Sequence, residues 1–263
     1  MSQLSYQDEV NNRIVFRHTP WEERVLGVGS REILSIDCEE ESALDGLIAS
    51  FDRQLQCERI GFCSCRVAAH ENRTIQALQH NGFRYIETSL VVTHNQVQQY
   101  TPDSRLAKPL FVRPATDSDR EMIKEISASS FDYGRMFEDP DVSKEIAQQR
   151  QCHWVGDLFD QGKNILVHEG DTGVVSFMAY DEANGGEIEL ILGGSQRGCG
   201  LSSVWFWNAI MLRFKQEKKT RITTVISCAN YGVINLYVHC GFKVDHALIG
   251  LNKHYRYPSE REP

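Results

Sequence analysis

Apolar and polar positions change their spacing several times along this 263-residue chain, and each change marks an element. Strand-like apolar stretches are predicted over residues 31–38, 60–69 and 83–93, with helices over 41–56 and 74–81 between them. Polar residues interrupted by Pro102 and Pro109 then give a linker over residues 95–109. A further strand is predicted over 110–115. The polar cluster Thr116-Asp117-Ser118-Asp119 caps a helix over 120–129, with its acids at the positive helix end. Residues 164–168 and 174–180 read as a hairpin through Glu169-Gly170-Asp171-Thr172-Gly173. Residues 187–192 form another strand. A helix from Leu201 carries Val204, Trp205, Ile210, Met211 and Phe214 before charge returns at Lys215 to Lys219. A last helix lies between Asn230 and Gly241, and Gly241-Phe242 lead into a strand.

Composition adds limits more than identity. Hydrophobic residues at 41% and charged residues at 24% are those of a globular chain long enough for one large or two small domains. The polar start and the lack of a membrane-length apolar run point to a cytoplasmic protein without membrane association. A net charge of −8 argues against nucleic acid as a partner. The cluster Lys215, Lys218, Lys219 and Arg221 reads as a solvated helix end. Eight cysteines show no secreted-framework spacing, and the nine histidines form no paired-ligand pattern, so reduced thiols and no metal are expected.

Two short stretches carry the chemistry. In Arg197-Gly198-Cys199-Gly200-Leu201-Ser202, glycines free the backbone for a turn whose N–H groups and following helix dipole suit a phosphate. An isolated Gly-x-Gly is more often a plain strand-to-helix turn. In Asn230-Tyr231-Gly232-Val233-Ile234-Asn235-Leu236-Tyr237-Val238-His239-Cys240-Gly241-Phe242, Tyr237 stands seven residues after Asn230 and four before the Gly241-Phe242 closure. A lone tyrosine there is more often a core residue with a satisfied hydroxyl. A phenol can also protonate a departing thiolate.

Together these stretches resemble the two signature motifs of the GNAT N-acetyltransferases. Arg197 and Gly200 match the family's Arg/Gln-x-x-Gly-x-Gly/Ala pattern, and Ser202 stands in place of the final small residue. The resemblance implies an α/β (α+β) fold with a mixed central sheet, flanked by helices and splayed at an acyl-CoA site. It implies acetyl-CoA as co-substrate, its pyrophosphate on Arg197, Gly198, Cys199, Gly200, Leu201 and Ser202. It implies that Leu190, Ile191 and Leu192 hold the pantetheine arm and acetyl group. Asn230 would hold the pantetheine region and Asn235 approach the phosphates. Tyr237 would be the general acid. Glu187, which shares a strand face with Glu189, is the candidate base. The link at residues 193–196 is short for the family. Cys199 has no activating base near it in sequence, which leaves direct transfer in a ternary complex.

Laying Gly82-Phe83 over Gly241-Phe242 puts Ile75 on Ile234 and Leu78 on Tyr237. Either a duplicated half that kept its packing and lost its chemistry, or the common occurrence of helix–Gly–strand units, accounts for this. The expected organisation is a degenerate GNAT-like half over residues 1–100, a linker over 101–109 and a catalytic domain over 110–263. The whole layout is similar to the dTDP-fucosamine acetyltransferases, through Thr19-Pro20-Trp21-Glu22, Ser129-Ser130-Phe131 and Gly134-Arg135-Met136-Phe137. That likeness implies a nucleotide-linked amino sugar as acceptor, with Phe131, Arg135 and Trp154 on the acceptor side, and allows a homodimer. Arg135 reads equally as a partner of Glu138 or Asp139, Phe131 and Trp154 as core aromatics, and His153 as an alternative base. Another small-molecule or protein amine, or a protein that binds CoA without using it, stands as the alternative.

Overall fold

The computed structural model describes residues 3–7, 12–102, 110–171, 173–183, 185–198 and 202–257. In chain order the elements begin with β1 (Leu4–Gln7), β2 (Arg13–His18), α1 (Pro20–Leu26), β3 (Ser30–Asp37), α2 (Leu44–Cys57), β4 (Phe62–Ala68), α3 (Asn72–His80) and β5 (Arg84–His94). They continue with β6 (Arg113–Pro114), α4 (Arg120–Ser130), α5 (Arg135–Glu138), α6 (Lys144–Asp160), β7 (Asn164–Gly170), β8 (Gly173–Ala183), β9 (Glu187–Ser195), α7 (Ser202–Gln216), β10 (Arg221–Ser227), α8 (Tyr231–His239) and β11 (Lys243–His254). The fold is mixed α/β. No helix of the described residues is long and apolar enough to cross a membrane.

The chain forms two compact units, one of Met1–Ser89, Glu138–Val142 and Ala247–Pro263, the other of Leu90–Phe137 and Ser143–His246. In the first, strands follow the order β1-β2-β3-β4-β11, with β3 and β4 parallel and the other pairs antiparallel. Its core gathers Ile14, Ile48, Phe51, Leu55 and Leu78 between α2, α3 and the sheet. In the second, the order is β10-β9-β8-β7-β6, with β9 and β10 parallel. Leu190, Phe206, Trp207, Ile210 and Phe214 pack on one side of this sheet, and Ile123, Val155 and Phe177 form a separate cluster with α4 and α6.

Several elements depart from the sequence reading. The strand expected over 110–115 shrinks to Arg113–Pro114, paired with Val167 and Leu166 of β7, and Ala115 N–H adds one bond to Ile165 O at 2.8 Å. The strand expected to stop at Leu192 runs on to Ser195, its glycines paired with Met178 and Phe177 of β8. A side chain at Gly193 would meet the terminal methyl of Met178 at 2.2 Å, so a larger residue there would require Met178 to move. On α7 the buried face is Phe206, Trp207, Ile210, Met211 and Phe214, while Val204 and Trp205 are only partly covered.

The repeat suggested by Gly82 and Gly241 extends well beyond those glycines. Phe83 N–H bonds Leu78 O at 3.0 Å and Gly82 N–H bonds Gln79 O at 3.0 Å; Phe242 N–H bonds Tyr237 O at 2.9 Å and Gly241 N–H bonds Val238 O at 3.0 Å. Both are Schellman closures, with φ of +86° at Gly82 and +90° at Gly241. At the same spacing, α2 and α7 end alike, on Arg59 (φ 54°) and Lys218 (φ 58°). The strands β4 and β10 match in length at that spacing too.

Candidate active site

The site begins where β9 and β10 part. Their parallel ladder runs Arg221–Glu187, Ile222–Ile188 and Thr223–Glu189. On its other edge β9 stays paired with β8 as far as Ser195, with Ile191 the extra residue of a bulge between the Ala179–Leu192 and Tyr180–Leu190 pairs. A bulge bends its strand and re-aims the groups beside it. The backbone of Leu190, Ile191 and Leu192 thus lies where β10 has turned away, the stretch expected to receive an acyl thioester. At this fork a side chain replaces the backbone partner: Thr224 Oγ1 donates to Leu190 O at 3.1 Å.

Tyr237 reaches the same place from α8. The Schellman closure fixes its position in the last turn, and its ring packs against Trp207 (centroids 4.8 Å apart) and Phe242 (5.0 Å). Only 7% of the residue is exposed. Burial pushes the phenol above its ordinary value; a hydrogen bond with Thr224 pulls it back and nearby Cys240 adds to the rise. The thiol of Cys240 is itself pushed up to about 11 by burial, opposed by its bond to the Tyr100 hydroxyl. The phenol is therefore a proton donor, not an anion, at neutral pH.

At the far end of β9, Arg197 is already engaged. Its Nη2 lies 2.7 Å from Asp132 Oδ2, and its Nε donates to the Ser129 carbonyl. Lys144 Nζ donates to the other Asp132 oxygen at 2.9 Å. Lys144, then Arg197, hold this carboxyl below its usual range against the opposing effect of burial. Ser130 Oγ adds a bond to Ser195 O at 2.6 Å. The end of α4 is thereby stitched to the strand that leads into the glycine turn. Gly198 has φ +86°, and a Cβ there would meet nothing within 4 Å. Cys199, Gly200 and Leu201 lie outside the described residues; Ser202 opens α7.

The other expected residues fall in different settings. Asn230 caps α8, its Oδ1 accepting from Val233 N at 3.3 Å, while Asn235 is exposed. Glu187 and Glu189 share the exposed face of β9, and Glu189 is the one nearer the fork. Phe131 lies against Gly194, where an added Cβ would sit 3.6 Å from its ring. Arg135 is buried at 8% exposure. Trp154 lies under the Arg150 guanidinium, 4.4 Å from ring centroid to Cζ. The structure thus brings Leu190–Leu192, Tyr237 and Arg197 to one strand and its immediate neighbours. It leaves Trp154 on α6.

Sequence reasoning missed Thr224, Asp132 and Lys144. A signal for Thr224 existed, since β10 places Ile222, Thr224 and Ile226 on its buried face, and a hydroxyl in an apolar row needs a partner. Asp132 and Lys144 are ordinary surface charges until the fold brings Arg197 to them. A cleft of ≈ 900 Å³ on the outer side of α7 is lined by Leu110, Phe111, Val112, Ala209 and Leu212, none of which belongs to this site.

Asp139, Asp141 and His254 of the first unit lie within 4.8 Å of one another at their ligand atoms. Asp139 accepts from Asn252 Nδ2 at 2.6 Å and is 2.9 Å from His254 Nε2, and Arg84 pairs with Asp141 at 2.7 Å. The three side chains are held by these hydrogen bonds and by the Arg84 guanidinium.

The comparisons with known proteins bear on the fold and the second unit. A GCN5-related N-acetyltransferase from Sphaerobacter thermophilus matches with a TM-score of 0.65 at 13% identity, covering 93% of this chain and 77% of its own. A tandem GNAT protein from the clavulanic acid biosynthesis pathway matches with a TM-score of 0.60 at 10% identity, over 96% and 82%. A GNAT-family acetyltransferase from Colwellia psychrerythraea gives 0.56 at 10%, over 96% and 85%. No curated protein matches the chain. The acetyltransferase (GNAT) domain family matches residues 110–243, which hold the forked strands, Arg197 and Tyr237, and this chain belongs to that family as an acyl-CoA N-acyltransferase.

Proposed function

We infer that the protein transfers an acetyl group from acetyl-CoA to the 4-amino group of a dTDP-linked 4-amino-4,6-dideoxyhexose, a building block of surface polysaccharide. The observation that carries the transfer itself is the β9–β10 fork with a buried phenol at its root. Backbone N–H groups of Leu190–Leu192 would polarise the thioester carbonyl there, stabilising the oxyanion as the amine attacks. Tyr237, protonated at neutral pH, donates to the leaving sulfur. Glu187, on the exposed face of β9, takes the amine's proton through water. The turn after Arg197 receives the pyrophosphate, and for this Arg197 exchanges Asp132 for a phosphate oxygen.

The acceptor assignment rests on the likeness of the layout and on the segment around α5. Phe131, Arg135 and Trp154 are assigned to the acceptor side, Phe131 beside the end of β9. Direct transfer in a ternary complex fits a site whose buried thiol, Cys240, is held protonated.

Mass spectrometry of dTDP-4-amino-4,6-dideoxyhexoses incubated with acetyl-CoA and the protein tests this reading. A single acetyl adduct is expected. Acetyl-CoA bound with no adduct on any isomer would retire the sugar and move the search to other amines.

A further inference from the structure

Thr224 is the one hydroxyl of the buried row Ile222, Thr224 and Ile226 on β10, and it is 7% exposed. Its Oγ1 donates to Leu190 O at 3.1 Å, and Tyr237 packs in the same cluster as Leu190, Ile222 and Ile226, which brings its phenol beside that hydroxyl. With its own proton committed to Leu190, the oxygen is left to accept the phenolic O–H. The corresponding place in the first unit is occupied differently. There Cys65 stands for Thr224 and Leu78 for Tyr237, and the ladder runs one step further, pairing Ile33 with Cys65. In the second unit the hydroxyl pair occupies the position of that last rung.

We propose that Thr224 is a positioning residue for acyl transfer: it holds the Tyr237 phenol at the fork and turns its own hydroxyl from Leu190 O to the Tyr237 oxygen when the phenol gives up its proton. The proposal rests on the acyl-transfer reading above. In the step concerned, the amine lone pair forms the C–N bond to the acetyl carbon. The C–S bond breaks with its electron pair on sulfur, and the phenolic proton passes to that sulfur. The proton lost by the acceptor nitrogen passes through water to Glu187 and is then returned through solvent to the Tyr237 phenolate, so amine and acetyl-CoA give amide and free thiol.

Rotation of the hydroxyl is favoured at that moment because a hydrogen bond to a phenolate is stronger than one to a neutral carbonyl. Among the described residues, three titratable groups near the phenol stay uncharged at neutral pH. Cys240 on the same helix and Tyr100, which bonds it, are both held protonated by burial. His94, whose ring lies 5.3 Å from that of Phe242, is held below its ordinary value by burial and so stays neutral.

The test is thiol release from acetyl-CoA by the full-length protein, with and without dTDP-4-amino-4,6-dideoxygalactose, from neutral to alkaline pH. Wild type, Thr224→Val, Thr224→Ser and Tyr237→Phe are compared. Thr224→Val is expected to lower kcat about tenfold and to leave KM for acetyl-CoA unchanged. A donor to the phenolate favours the charged form, so losing it raises the phenol's pKa and moves the alkaline limb to higher pH. Thr224→Ser is expected to restore both rate and limb. Thr224→Val with the wild-type rate and limb, or Val and Ser impaired alike, would overturn the proposal while an impaired Tyr237→Phe left the acid role standing. Tyr237→Phe with the wild-type rate would remove the acid role and this proposal with it. Wild-type protein that releases thiol with other amines but not with this sugar would retire the sugar assignment and leave the Thr224 comparison to be read on those amines. No release with any amine would overturn the acyl-transfer reading and this proposal with it.

Discussion

The closing turns of α3 and α8 make the same backbone hydrogen bonds around Gly82 and Gly241, yet one holds Leu78 and the other Tyr237. Leu78 is wholly buried, and with Ala77 it serves only the core of its unit. Tyr237 fills the same position, but its hydroxyl meets Thr224 at a fork in the sheet. Upstream the contrast sharpens. The connection from bulge to helix is one residue longer in the second unit, Ile191 to Ser202 against Leu34 to Leu44. It carries Arg197, Gly198 and Gly200 where the first carries Asp37, Glu39, Glu40 and Glu41. Four carboxylates would repel the pyrophosphate that the proposed site would draw to Arg197. The backbone plan sets where a side chain points; a few residues decide whether that place can do chemistry.

The largest expected effect breaks the comparison on the packing side. Leu78→Ala should destabilise the protein by about 2–5 kcal/mol in a denaturant melt and leave kcat of the remaining folded enzyme near wild type. Next, Tyr237→Phe should keep nearly all of the ring packing while kcat falls about a hundredfold in steady-state assays with KM for acetyl-CoA unchanged. An equal loss of stability in the two variants would mean that both positions serve packing alone.

Arg197→Ala is expected to raise KM for acetyl-CoA about tenfold, the loss of one charge-assisted contact of ~1.4 kcal/mol. Calorimetric titration should accordingly find one acetyl-CoA per chain. A second binding event would show that the acidic turn of the first unit also accepts a nucleotide. The smallest effect separates the two glycines. Gly82→Ala should cost about 1–2 kcal/mol for the left-handed backbone. Gly241→Ala should cost more, because its Cβ would come within 3.1 Å of His94 Nε2, whereas Gly82 faces only the flexible end of Lys253 at 3.5 Å. Paired thermal melts resolve the difference.

Much of the fold was legible because its signals are local. The helices α2, α3, α4 and α7, the β7–β8 hairpin and the Gly-Phe closures all declare themselves through periodicity and turn residues within a dozen positions. Three early elements, β1, β2 and α1, escaped because the strands are short and the helix has seven residues, too few for either period to repeat. The long helix α6 spreads Val155, Leu158 and its partly buried Cys152 and Trp154 among charges, so its apolar stripe is weak. For the site, Arg197, Asn230 and Tyr237 belong to contiguous motifs and were readable. Thr224, Asp132 and Lys144 were not, since each acquires its role from a partner far away in the chain.

The sequence by itself determined the turn chemistry, many of the helices and strands, the tyrosine and the helix–Gly-Phe pattern shared by Gly82 and Gly241, because dihedral preferences and apolar spacing act between near neighbours. Only the tertiary structure decided that β9 and β10 part after Glu189, that a threonine hydroxyl takes up the freed Leu190 carbonyl, and that Arg197 is held by Asp132. The reason is physical: a hydrogen bond or ion pair between distant residues exists only after packing has met the entropy of bringing them together, and no local pattern records which pairs packing will choose.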